Sequence, residues 1–432
     1  MITTFYPPYN FGGDGIFVHR LSNELARRGH SVDVIHGVNS YRFLAGQEPK
    51  ADYEDHPNVT VHGIKSRFGF CSPLATQQTG LPLFKSRQIR EILDKGFDVI
   101  HYHNVSLIGG PKLLEYGKGI KLYTMHDYWL LCPTHLLFRY NRAPCTKRHC
   151  FTCELSYKRP PQLWRHFGLL EANLKHVDAF IAASQFTKQI HSPLNLDAPI
   201  VHIPHFVPRS PISTTSQAAH PAETVERPYF LFVGRLEKLK GLQTLIPIFR
   251  QYLKAQLWVA GTGSYEPHLR KLADGYGNIR FLGYQSANDL SYLYRRAVAV
   301  IVPSICFEIF SLVIAEAFMQ RTAVIARNVG GMPELIHNNG GLTYSTDEEL
   351  IRAMDRLLAD SSYRDRLGTL GYDTCQLKWS ADVHLKRYLS LIHEIAAGQH
   401  QRRRRSHLAG SQLQMETGAI SDYRPTPEKG SP

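Results

Sequence analysis

Glu308 and Glu316 stand eight positions apart in a segment, Cys306 to Gln320, that is otherwise almost free of charge. An apolar run, Val298 to Val302, reads as a strand ending at Pro303, and a helix is predicted from about Phe310 to Met319. Glu308 then falls in the loop between them. The first N–H groups of such a helix, around Phe310, Ser311 and Leu312, lack acceptors, and the helix dipole adds positive potential. A phosphate or pyrophosphate suits that position. Glu316 is the one acid in the predicted helix. A carboxylate buried there is costly unless donors reach it. Two ribose hydroxyls would serve, and a bridge to a neighbouring basic side chain is the competing reading.

Three more turns follow predicted strands. Val233-Gly234-Arg235-Leu236-Glu237-Lys238-Leu239-Lys240-Gly241 offers a planar guanidinium and ammonium groups, suited to a diphosphate. A charged surface loop is the plain alternative. Gly12-Gly13 precedes a predicted helix and lets the backbone approach an anion, as does Gly261-Thr262-Gly263. His126, in Met125-His126-Asp127-Tyr128-Trp129, follows a strand and sits where catalytic groups collect, though 22 histidines make a structural role for any one of them common. Four of the seven cysteines crowd together: Cys132, Cys145, Cys150 and Cys153. Clustered thiols in a chain with no export signal point to metal more readily than to disulfides, and structural zinc is expected. His149 and His135 are candidate substitutes, and four reduced, partly buried thiols are the alternative.

Those loops need strands to place them. Ile2 to Tyr6, Val32 to His36, Val99 to His101, Leu122 to Met125 and Ala179 to Ala182 are predicted strands of a first domain. Helical stretches at Phe17 to Arg28, Arg87 to Lys95 and Leu163 to His176 separate them. Such alternation makes βαβ units and a parallel sheet. The pattern restarts at Tyr229 with strands at Tyr229 to Val233, Leu257 to Ala260, Ile279 to Leu282, Val298 to Val302 and Ala323 to Ala326. The expected organisation is an N-terminal Rossmann-like domain over 1–207, with a Cys-rich insert at 132–153. A polar linker over 208–228 leads to a second Rossmann-like domain over 229–375. A helix over 376–398 packs back toward the first domain, and a disordered tail fills 399–432. Two such domains facing across a cleft suit a reaction with two substrates.

The formal net charge of +13 favours anionic partners. Part of it is the run Arg402 to Arg405, either a solvated tail or a tether to anionic lipid. No nucleic-acid-reading module is evident. No apolar run reaches the roughly 18 residues of a membrane span. Met1 to Asn10 lacks the features of a signal peptide, so a cytoplasmic location is expected, with contact at the inner face of the membrane compatible with Phe68-Gly69-Phe70.

Together these pieces resemble the family 4 glycosyltransferases of GT-B fold. Gly234-Arg235 through Lys240-Gly241, the Glu308/Glu316 pair, the Pro7-Pro8 and Gly12-Gly13 start, Gly29-His30-x-Val32 and His126-Asp127 carry the resemblance over about residues 1–398. It extends to a bacterial type with a Cys-rich insert after the His-Asp-Tyr-Trp segment. The family's first strand is usually longer than Met1 to Tyr6. The resemblance implies retaining transfer from a nucleoside-diphosphate sugar to a glycan or lipid-linked acceptor, in cell-surface polysaccharide synthesis and without a catalytic metal. No Asp-x-Asp triplet occurs in the sequence. By the family's pattern Arg235 and Lys240 hold the diphosphate, with Gly234 turning that loop, and Glu316 holds the ribose. Glu308 and the amides of Phe310 to Leu312 contact sugar and phosphates, Gly12-Gly13 approaches the diphosphate, and His126 contacts the donor sugar. The acceptor is expected near Ser66 to Thr79 and the insert. A non-catalytic nucleotide-sugar-binding protein and a nucleotide-sugar epimerase of the same fold are the alternatives.

Overall fold

The computed structural model describes residues 1–49, 53–207 and 227–418, with side chains as far as 399. The chain divides into two compact units, Met1–Leu385 and the stretch from Lys386 onward. The first unit holds both large sheets. In chain order the strands are β1 (Ile2–Thr3), β2 (Val32–Gly37), β3 (Val59–Ile64), β4 (Val99–Tyr102), β5 (Ile120–Met125), β6 (Phe138–Arg139), β7 (Ala143–Pro144), β8 (Ala179–Ala182) and β9 (Ile200–His202). They continue with β10 (Tyr229–Val233), β11 (Gln256–Ala260), β12 (Ile279–Gly283), β13 (Ala299–Val302), β14 (Val324–Arg327) and β15 (Gly341–Tyr344).

Seven strands pair in parallel in the order β3-β2-β1-β4-β5-β8-β9, and six in the order β12-β11-β10-β13-β14-β15. Both are doubly wound, as the alternation predicts. Their strand order reverses between β1 and β4 in one sheet and between β10 and β13 in the other. At such a point the loops leaving two neighbouring strands diverge, and a crevice opens at the carboxyl ends. The central strands Phe230, Leu231, Val300 and Ile301 are almost fully buried, which requires helices on both faces. The faces are covered by separate apolar clusters, one around Ile314, Phe318 and Trp379 and one around Leu245, Phe249 and Met354.

Several expectations shift. The predicted helix Leu163 to His176 is a 3-10 turn, Leu163–His166, and a helix, Leu169–Leu174, parted by Gly168 at φ +68°. The helix expected from Phe310 is Leu312–Met319, with Ser311 as its N-cap. After 376 the chain touches first-sheet elements: Arg28 pairs with Asp382, and the His384 ring bonds the Pro204 carbonyl at 2.7 Å. The last helix does not stop at 398 but spans Ala381–Gly418. Its extension is rich in Gln, Arg, Leu and Ala, with Gly410 the one weak helix former inside it, and no proline follows before Pro425. The tail beyond 418, the linker residues 208–226 and the side chains of Arg402 to Arg405 lie outside the described residues.

Candidate donor site

The second sheet's reversal point places two of the predicted loops side by side. One leaves β10 and carries Gly234 to Gly241. The other leaves β13 and carries Ser304 to Ser311. Gly241, at φ +77°, makes their close approach possible: a Cβ there would stand 1.9 Å from the Pro303 carbonyl oxygen. Lys240 is thereby held against Glu308, with Nζ 2.7 Å from Oε1. Ser304 Oγ donates to the same oxygen at 2.7 Å. The side chains are only 29% and 14% exposed. Burial by itself raises the Glu308 carboxyl and lowers the Lys240 ammonium. The pairing overrides it: Lys240 and Ser304 hold Glu308 below the usual carboxylate range, and Glu308 holds Lys240 above its own. Both are therefore charged at neutral pH. The Gly330-Gly331 turn closes over the loop, with Gly331 N–H donating to the Glu308 carbonyl at 2.9 Å.

The first sheet supplies the opposite wall. Gly12 caps the helix Gly13–Arg27 without a side-chain hydrogen bond, and within its first turn the Gly15 amide turns to the Asp14 carboxylate. A Cβ on Gly12 would lie 3.8 Å from Arg235 Cζ, and one on Gly13 would lie 3.1 Å from Leu312 Cδ1. Two helix N-termini, Gly13 and Leu312, thus converge from the two sheets with Arg235 beside them. Arg235 pairs with Glu237 at 2.8 Å and remains 52% exposed. Two dipole ends and a guanidinium facing one space form a site for an anion. Phe310 and Ser311 are buried behind it, Phe310 edge-on to Trp379.

Glu316 is not the buried acid that its helix suggests. Its side chain is 32% exposed and turns to the first sheet, where Arg20 Nη2 lies 3.3 Å from Oε1. Tyr294 Oη donates to Oε2 at 3.4 Å. The basic partner of the competing reading is present, and it comes from the other wall. Nothing local in the sequence announces Arg20, which is 296 positions away.

His126 follows β5 as expected. His103, following β4, was the histidine that the same strand-end criterion should have flagged: its Nδ1 lies 2.8 Å from His126 Nε2. One ring must donate and the other accept. Burial lowers His126 to about 4 and holds His103 well below the ordinary imidazole range, so both rings are neutral at neutral pH. His205 and Phe17 pack on the His126 ring, with centroids 5.0 and 5.5 Å away. Asp127 is clasped by His135 Nδ1 at 2.7 Å and Trp129 N–H at 2.8 Å. Asp14, also missed, is half-buried beside Gly13; burial and then Asp127 raise its carboxyl, while the Gly15 amide and Arg235 oppose them.

Cys132, Cys145, Cys150 and Cys153 line one small cavity with His149 and Phe138. All four thiols are free. His135 is not available to them, being committed to Asp127. As the side chains are placed, no group of three or more His, Cys, Asp or Glu among the described residues stands in a coordinating arrangement.

Residues 11–210 match the family model described as Glycosyltransferase Family 4, and residues 214–374 match Glycosyl transferases group 1. Taken together the two models span most of the chain, so in sequence it is similar to the family 4-type glycosyltransferases. Its relatives include the lipopolysaccharide core biosynthesis glycosyltransferase LpsE of Rhizobium meliloti, 30% identical over 39% of this chain and 50% of that protein. O-antigen chain mannosyltransferase C of Escherichia coli is 25% identical over 90% and 95%. The chain spans 50% of the length of LpsE and 37% of that of an uncharacterized glycosyltransferase of Methanocaldococcus jannaschii, to which it is 35% identical. Among solved structures, Anabaena HepE in complex with UDP superposes with a TM-score of 0.62 at 16% identity, covering 91% of this chain and 99% of that one. That likeness fixes the fold as GT-B.

Proposed function

We propose that this glycosyltransferase moves a sugar, with retention of anomeric configuration, from a nucleoside-diphosphate sugar to a glycan or lipid-linked acceptor of cell-surface polysaccharide synthesis. The convergence of the Gly13 and Leu312 helix ends on Arg235 and the Lys240–Glu308 pair carries this reading. The donor diphosphate lies between the two helix ends. Arg235 and Lys240 stabilise the charge that grows on it as the bond from the anomeric carbon to phosphate oxygen breaks. Two fixed cations supply what a catalytic metal supplies elsewhere, so none is needed. Glu308 keeps Lys240 charged and in place, and contacts the sugar. Glu316 receives the ribose hydroxyls once Arg20 yields. His126, neutral and oriented by His103, hydrogen-bonds the donor sugar. The departing phosphate oxygen takes the acceptor's proton as the new glycosidic bond forms on the same face.

The roles of those relatives, in lipopolysaccharide core and O-antigen synthesis, support a surface glycan as product, and UDP in the HepE structure supports a nucleotide donor. Among the described residues no helix is long and apolar enough to cross a membrane. Exposed Phe68, Phe70, Leu83 and Phe84 support peripheral contact with an anionic membrane at its cytoplasmic face. The test is turnover of a panel of UDP- and GDP-sugars, following nucleoside diphosphate release and the anomeric configuration of the product by NMR. Release with an α-donor giving an α-product is expected. An inverted product, or no release from any donor with or without acceptor, overturns the proposal.

A further inference from the structure

Residues 132–158 fold with almost no secondary structure of their own. They hold two strands of two residues, β6 and β7, and one seven-residue helix, Cys150–Ser156. Yet the backbone there is demanding. Of the eight non-glycine residues with positive φ among the described residues, five fall in this stretch: His135, Leu137, Tyr140, Asn141 and Lys158. Each such conformation costs on the order of 1 kcal/mol or more and persists only where surrounding contacts over-determine it. Phe138 is the large side chain fully buried here. A small module with so little core needs a covalent or metal staple.

The four cysteines sit where a staple would act. They come from the start of the module (Cys132), the residue just after the hairpin's return strand (Cys145) and the helix (Cys150 and Cys153), and they border the same cavity. Tyr140 N–H already donates to Cys153 Sγ at 3.3 Å. Arg139 lines the cavity, and Arg148 and Arg165 lie close enough to act on the thiols. A divalent cation bound by four thiolates carries two net negative charges, and these guanidiniums offset them.

We infer that Cys132, Cys145, Cys150 and Cys153 bind one zinc ion as a structural four-thiolate site that holds residues 132–158 in shape. Cys132 Sγ now rests 3.2 Å from Thr134 Oγ1 and Cys145 Sγ 3.5 Å from the Lys147 carbonyl. Binding turns these thiols from those weak partners into the cavity and releases their protons to solvent. The site is tetrahedral and closed, with no position for substrate. The module it secures borders the donor site: Asn141 accepts from Lys238 Nζ at 2.9 Å, and His135 clasps Asp127. The zinc itself is independent of the donor reading and is tested without activity.

Full-length protein purified under reducing conditions, then given equimolar zinc and desalted, is assayed for metal and for cleavage by trypsin between Arg139 and Arg148. About one zinc per chain is expected, with cleavage accelerated when a chelator removes it. Cobalt substitution should give the thiolate-to-metal absorption of a four-sulfur site. Cys145→Ser and Cys150→Ser should each lose the metal, while Cys71→Ser, outside the cavity, and His149→Ala should keep it. Less than about a tenth of an equivalent of zinc on the wild-type chain overturns the inference, as does retention in the Cys145→Ser/Cys150→Ser pair. Loss of zinc in His149→Ala overturns the four-thiolate set.

Discussion

The two strand-order reversals face each other, yet they are built from different chemistry. Around β10 and β13 the site is ionic: Lys240 with Glu308, Arg235 with Glu237. Around β1, β4 and β5 it is polar but mostly uncharged: glycine amides at 12–13, and the His103–His126 pair that burial keeps neutral. A departing diphosphate needs fixed positive charge, which the ionic wall provides. A sugar needs orientation without competition from a strong cation, which neutral imidazoles and amides provide. The Arg20–Glu316 contact is where a charge from the N-terminal wall reaches into the other.

If that division is right, Lys240→Ala should do the most damage. Loss of a preorganised cation should lower kcat by about 100- to 1000-fold. It also strands Glu308, and breaking such a pair costs about 3 kcal/mol of stability, readable by denaturant unfolding. A Lys240→Ala enzyme with near wild-type kcat would break the contrast between the walls. Glu316→Ala should weaken nucleoside diphosphate binding about 10- to 100-fold through two lost charge-assisted hydrogen bonds, measured by calorimetry. His103→Asn should reduce kcat with little change in KM, and the acid limb of its kcat profile should not move to the ordinary imidazole range if neutrality rather than proton transfer is the role.

The neutral wall also predicts a pH dependence of stability. His126 and His36 are lowered to about 4, chiefly by burial. Unfolded, each titrates near 6.5. The unfolded chain therefore binds more protons between about pH 6.5 and 4, and stability falls as pH drops through that window. Each such histidine contributes about 1.4 kcal/mol per pH unit there. A melting temperature flat from pH 7 to 5 would mean that these rings are not held neutral. The smallest effect is the sharpest probe of the seam: Arg20→Ala removes a partly exposed pair worth under about 1 kcal/mol, so nucleotide affinity should rise a few-fold as Glu316 is released. Weaker binding would show instead that Arg20 itself contacts the ligand.

The same division governs what was legible in the sequence. Arg235, Lys240 and Glu308 lie in two short loops, each directly after an apolar run, and strand-end position with residue type sufficed to pick them out. That the loops are neighbours depended on strand order, which no local pattern carries. The histidine wall is tertiary throughout: His103, His126 and His205 arrive from three connections. Strands β3, β9 and β15 escaped notice because they lie at or near sheet edges with half-exposed residues, and their apolar runs are short or interrupted. The expected burial of Glu316 followed from its apolar helix, but its face of that helix looks out to Arg20 rather than into the core.

Thermal denaturation of wild-type protein and Glu316→Ala, each with UDP and with GDP, tests the donor site most directly. At a concentration of about 100 times its dissociation constant, the preferred nucleotide should stabilise the wild type by roughly 2.7 kcal/mol, and the variant should lose most of that gain. No stabilisation of the wild type by either nucleotide, or an equal gain in Glu316→Ala, would contradict the assignment of the facing loops as a nucleoside-diphosphate site.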